Sequence, residues 1–130
     1  MSLNKVMLIG NLGADPEMRF TANGTAVTSF RVAVSRFYTG SDGERKEETE
    51  WVSVVAWSKL AERVNQYLTK GSKAYIEGRL QTRSWEGQDG QKRYRTEVIA
   101  NDVQFLDRRS AAGVTQDEAG DELEADDLPF

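Results

Sequence analysis

The chain has 130 residues, 38% of them hydrophobic, a formal charge of −4, and neither cysteine nor histidine. That length suits one domain with a self-sufficient core, while the two absences exclude disulfides, thiolate metal sites, the commonest general base and the commonest metal ligand. The charge is unevenly spread: residues 1–109 hold all 17 Lys and Arg against 14 Asp and Glu, a net +3, and residues 110–130 hold seven acids and no base.

The aliphatic run Val6-Met7-Leu8-Ile9 is too short for a signal segment or a membrane span. With Gly10 and Gly13 it predicts a strongly bent first strand over Val6 to Leu12. Asn23-Gly24 is a turn signal. Phe30, Val32 and Val34 then alternate with Ser29, Arg31, Ala33 and Ser35, a half-buried second strand. The polar stretch Thr39 to Glu48 reads as a long exposed hairpin loop. Glu50 to Trp57 is the third strand, with Val52, Val54 and Ala56 on one face and Trp51, Ser53, Val55 and Trp57 on the other. Ser58 supplies a helix N-cap, and Leu60, Ala61, Val64, Tyr67 and Leu68 form the apolar stripe of one helix. Gly71 closes it as a C′ residue, with Lys70 in the last turn. The fourth strand sets Ala74, Ile76, Gly78 and Leu80 towards the core, opposite Lys73, Tyr75, Glu77, Arg79, Gln81, Arg83 and Trp85. Gly87 to Gly90 tips a second hairpin, and Arg93 to Phe105 is the last strand. The order β-β-β-α-β-β makes the fold class all-β with one helix: an OB-fold, a five-stranded Greek-key barrel. Beyond it the acidic tail is too charged and too poor in apolar side chains to fold alone, and is expected to be disordered.

Large aromatics are ordinarily core, and Tyr67, Phe30 and Phe105 are read that way. Trp51 and Trp57 face away from the Val52 row, and Trp85 continues the face of Lys73, Arg79 and Arg83. Phe37-Tyr38 stands where the second strand enters the polar loop. Flat rings beside cations suit unstacked bases, each of which offers a π-face and a phosphate. A subunit interface burying the same rings is the alternative. Lys5, Arg19, Arg31, Arg36, Lys59, Lys70, Lys73, Arg79 and Arg83 flank these rings along the chain as a phosphate track. Arg45-Lys46 beside Glu47-Glu48 reads instead as a solvated salt-bridged surface. No catalytic residues, metal or cofactor are expected. Asp15, Glu17, Glu47, Glu48 and Glu50 have no diagnostic ligand spacing, and Gly10 to Gly13 is no phosphate-cradling loop.

At this point the chain resembles the bacterial single-stranded DNA-binding protein family of the replication type. The matching words run from Asn4-Lys5-Val6 through Gly10-Asn11-Leu12-Gly13, Asp15-Pro16-Glu17-Met18-Arg19 and Thr49-Glu50-Trp51. They go on through Leu60-Ala61-Glu62, Tyr67 to Ser72, Tyr75-Ile76-Glu77-Gly78 and Thr82-Arg83-Ser84-Trp85 to the tip, Asp126-Asp127-Leu128-Pro129-Phe130. The resemblance implies an OB-fold homotetramer that wraps single-stranded DNA without sequence preference. It also implies work in replication, recombination and repair, and a cytoplasmic, nucleoid-associated location. By position Trp51 and Trp85 match the family's stacking tryptophans, Trp57 falls where members often have Phe, and Tyr38 or Phe37 replaces a stacking Trp. Lys5, Arg19, Lys59, Lys70 and Arg83 fall on positions usually basic, and Tyr75 and Glu77 on the stretch that builds the tetramer. The resemblance also implies that the tip Asp126, Asp127, Leu128, Pro129 and Phe130, with Leu128 where Ile is common, recruits partner enzymes.

The expected organisation is an OB-fold DNA-binding and oligomerisation domain over 1–109, a short flexible linker over 110–120 and an acidic partner-binding tip over 121–130. The rival readings are an OB-fold primosome or RNA-binding protein, a protein-interaction scaffold, and a nuclease. An RNA reader would need 2′-OH contacts.

Overall fold

The computed structural model describes residues 1–106, so the linker, the acidic tip and the expected disorder of the tail lie outside the described residues. Along the chain come β1 (Val6–Leu12), β2 (Glu17–Phe20), β3 (Ala26–Thr39), β4 (Arg45–Trp57), α1 (Ser58–Tyr67), β5 (Lys73–Glu86) and β6 (Lys92–Phe105). The sheet order is β1-β5-β6-β4-β3-β2, and β1 returns to pair with β3 at Asn11–Ala33 and Leu12–Val32. Closure gives a five-stranded barrel of β1, β5, β6, β4 and β3 with one helix, the OB-fold that the strand order predicts. Gly10 lets β1 approach β3 closely enough to pair with it. A Cβ at Gly10 would collide with the carbonyl oxygen of Ala33, so only a residue without one lets β1 close on β3.

β2 is an addition to that expectation. Its four residues pair with β3 from Glu17–Ser29 to Phe20–Ala26 and lie outside the closed barrel. So short an element carries too few alternations to be read from sequence.

The core is filled by the inward rows of the strands: Phe30 and Val32 of β3, Val54 of β4, Ile76 of β5, and Val98 and Val103 of β6. Val64 and Leu68 from the helical segment are equally enclosed, and each such side chain contributes about 1.5–3 kcal/mol by leaving water. Thr28 is fully buried yet satisfied, its hydroxyl donating to the Ala61 carbonyl of α1 at 2.7 Å. That bond ties the helix to β3 across the barrel end.

Five local expectations are corrected. Ser58 does not cap α1. The N-cap is Trp57 with no side-chain bond, because β4 runs straight into the helix, and Ser58 takes the left-handed φ of 59° at the junction. The helix ends earlier than Gly71, at a C-cap on Leu68 whose N–H reaches the Val64 carbonyl, so Lys70 is not in its last turn. Tyr67 is 54% exposed; as the final helical residue it overhangs the barrel and packs on Phe105, ring centroids 5.4 Å apart. Leu80 is also exposed: it lies past the last β1–β5 pair, Val6–Gly78, where Asn4 bonds its backbone but no strand among the described residues packs over its side chain. The long polar loop is mostly strand: β3 and β4 stay paired from Val27–Trp57 out to Thr39–Arg45.

Candidate nucleic-acid interface

Cross-strand register fixes which side chains share a face, since successive residues alternate. On β4, Trp57, Val55, Ser53 and Trp51 stand opposite Val27, Ser29, Arg31 and Ala33 of β3, and the same row continues to Phe37 opposite Glu47. Val55 lies beside Ile99 of β6, and Ile99, Glu97, Arg95 and Arg93 are partnered by Arg79, Gln81, Arg83 and Trp85 of β5. Four strands thus present one outward surface holding Phe37, Trp51, Trp57 and Trp85 among arginines. The two β4 tryptophans stand six positions apart, about 20 Å along an extended strand.

The middle of this surface is a groove of about 1000 Å³. Trp51 and Trp57 line it with Arg19, Arg31, Arg79 and Arg83, so two expected stacking residues and four expected phosphate contacts come together there. Arg31 lies over the Trp51 ring at 5.2 Å from its centroid, Arg83 over Trp85 at 5.2 Å, and Arg45 over Phe37 at 4.6 Å. A guanidinium over a ring is attracted by its π-system, which helps hold both groups in place. Trp51, Trp57 and Trp85 are all between two fifths and one half exposed, which is large for tryptophan in a closed barrel.

Arg93 and Arg95 belong to the same surface and were missed from sequence. Their facing follows from the β5–β6 register, and counting back from the Gly87–Gly90 turn would have given it. Arg45 differs from its salt-bridge reading: it stacks on Phe37, whereas Lys46 pairs with Asp42 at 3.5 Å.

Other expected residues lie apart. Tyr38 is on the reverse of the β3–β4 hairpin with Arg36, whose guanidinium covers its ring at 4.8 Å and pairs with Glu48 at 2.8 Å. Lys59 is in the first turn of α1, and Lys70 is in the turn after it, where its backbone N–H donates to Asp15 at 2.8 Å. Lys73 begins β5 opposite Asn11 of β1. Lys5 pairs with Glu77 at 2.9 Å, and Tyr75 donates its hydroxyl to the same carboxylate at 2.7 Å. The Lys5 bond, seconded by Tyr75, holds the Glu77 carboxyl below its ordinary range, and that carboxylate in turn raises the Tyr75 hydroxyl. Beside them Met7 and Ile9 are 63% and 42% exposed on the outer side of β1. Asp126, Asp127, Leu128, Pro129 and Phe130 lie outside the described residues.

Among the described residues, no three acids gather where they could hold a metal ion, and no helix is long and apolar enough to cross a membrane.

A family model described as the single-strand binding protein family matches residues 3–106. Single-stranded DNA-binding protein 1 of Chlorobaculum tepidum is 52% identical over 116 residues, 88% of this chain and 72% of that protein. The single-stranded DNA-binding protein of Bacillus cereus is 50% identical over 111 residues, 85% of this chain and 64% of the relative. The chain therefore spans somewhat less than two thirds of the Bacillus protein. A solved structure described as a Plasmodium falciparum SSB complex with ssDNA superposes with a TM-score of 0.77 at 34% identity, covering 82% of this chain and 97% of that one.

Proposed function

The chain belongs to the single-strand binding protein family, and we propose on that premise that it binds single-stranded DNA without sequence preference through the outward face of β3, β4, β5 and β6. The observation that carries this is the sharing of one exposed surface by Phe37, Trp51, Trp57 and Trp85, with arginines over the Phe37, Trp51 and Trp85 rings. A strand laid across it stacks bases on the rings, each worth about 1–3 kcal/mol, and sets phosphates against guanidiniums. Rings accept every base, so sequence preference is weak. Arg19, Arg31, Arg79 and Arg83 bind phosphates in the groove. Lys5, Lys59, Lys70 and Lys73 extend the track around the barrel, and Tyr38 stacks a base only where the strand passes behind the β3–β4 hairpin.

The finer roles follow the same reading. The chain acts as a homotetramer in replication, recombination and repair, in the cytoplasm with the nucleoid. Asp126 to Phe130 form a peptide whose acids and Phe ring suit a basic-rimmed apolar pocket on partner proteins. The test is tryptophan fluorescence titrated with a thymine homopolymer across a salt series, with duplex DNA as control. Strong quenching by the single strand alone is expected, with affinity falling by about 0.7 log units per log unit of salt for each phosphate neutralised. Rings that stay unquenched by single strands would return this face to a protein-interaction surface.

A further inference from the structure

Arg83 of β5 and Arg95 of β6 are direct cross-strand partners. Like charges set opposite one another on an antiparallel pair repel and weaken it. Glu97 stands between them, its side chain 7% exposed against 52% for Arg83 and 48% for Arg95. Its Oε1 accepts from Nε of Arg83 at 3.1 Å, and its Oε2 accepts from Nη2 of the same guanidinium at 3.5 Å. Oε2 also lies 3.6 Å from Nε of Arg95, whose Nη2 donates to the Ser53 hydroxyl at 3.0 Å. A guanidinium has five N–H donors in a rigid fork. The buried carboxylate engages the Nε side of both forks, and none of these bonds uses Nη1 of either.

Resting on the single-stranded DNA reading above, the geometry points to Glu97 as a positioning residue. It seats Arg83 and Arg95 side by side as a clamp for two adjacent phosphates, and through Arg83 it steadies the Trp85 ring. Arg95 is thereby a phosphate ligand that no family motif in the sequence marks. An acid inside a basic surface has an obvious opposite role, that of a counter-charge repelling phosphate. The two roles differ in sign.

The experiment titrates the full chain with a thymine homopolymer across a salt series, for the wild type, Glu97→Gln and Arg95→Met. Positioning predicts that Glu97→Gln weakens binding although it makes the face more positive. The log–log salt slope becomes shallower by about 0.7 for each phosphate no longer neutralised, a penalty of about fivefold at 0.1 M salt for one phosphate. Tighter binding by Glu97→Gln, with a slope as steep as before or steeper, overturns the proposal. Arg95→Met is expected to lose the same increment of slope. Should circular dichroism find Glu97→Gln unfolded, Arg95→Met decides alone, and a slope equal to the wild type's overturns the clamp. Failure of the underlying reading looks different: the wild type then binds no single strand at any salt, and both proposals fall together.

Discussion

Trp51 abuts bare backbone. A Cβ at Gly13 would come within 2.5 Å of Cζ3 of its ring, so the glycine leaves room for the benzo edge of the indole beside the β1–β2 connection. Gly13→Ala should tilt the ring and take away part of the effect of Trp51→Ala, itself about 1–3 kcal/mol in single-strand affinity. Titrating both variants checks this, and a Gly13→Ala protein that binds like the wild type would leave the glycine without that role. The facing of Trp51 and Trp57 was legible from the alternation with Val52, Val54 and Ala56, since a strand cannot send both rows inward. The contact of Trp51 with Gly13 was not, because it joins distant parts of the chain and leaves no local pattern. Phe37 and Tyr38 show the same boundary. As neighbours on a strand they must face opposite ways, and which of them joins the tryptophans depends on the alternation of Phe30, Val32 and Val34 running on through a stretch that reads as loop, which the pairing with β4 shows it does.

The two hairpins carry the same tip. In β3–β4 the Gly40 N–H donates to the Glu44 carbonyl at 2.8 Å and Asp42 accepts from the Glu44 N–H at 3.1 Å; in β5–β6 the Gly87 N–H donates to Gln91 at 2.8 Å and Asp89 accepts from the Gln91 N–H at 3.1 Å. Each Asp also pairs with a base four residues on, Lys46 at 3.5 Å and Arg93 at 2.8 Å. These arms project past the core, so neither of their faces is buried and their sequences lack the apolar alternation by which strands are recognised. That is why the first arm reads as loop while its base, anchored by Phe30, Val32 and Val54, reads as strand. β1 poses the opposite case, since its outer surface is more apolar than solvent exposure requires. Met7 and Ile9 are exposed there, and β1 meets β3 only at Asn11 and Leu12, leaving one edge of Val6 to Gly10 without a strand neighbour among the described residues. If copies of the chain meet along it, Ile9→Arg should leave the barrel folded and lower the sedimenting mass below that of four chains. A four-chain mass in the variant would move the contact elsewhere.

At the scale of the whole molecule, a +3 body is joined to a 21-residue segment of −7. Opposite charges tethered so closely attract within a Debye length, about 10 Å at 0.1 M salt. The acids should therefore compete with DNA for the arginine face. Deleting residues 117–130 is expected to tighten single-strand binding at low salt, with the difference vanishing as salt rises; affinity unchanged or weakened by the deletion would sink the idea. The body itself does two jobs with the same strands: along β4, Val52, Val54 and Ala56 build the core side of the ribbon while Trp51, Ser53 and Trp57 build its outer side. One residue inserted between Trp51 and Trp57 would exchange the rows on one side of it, so that the two tryptophans no longer share a face. Insertions of any size at Gly40–Glu44 or Gly87–Gln91 leave the rows untouched. The architecture thus sets where its own length can drift: its arms are free to lengthen or shorten, while the phase along β4 is held by core and surface at once.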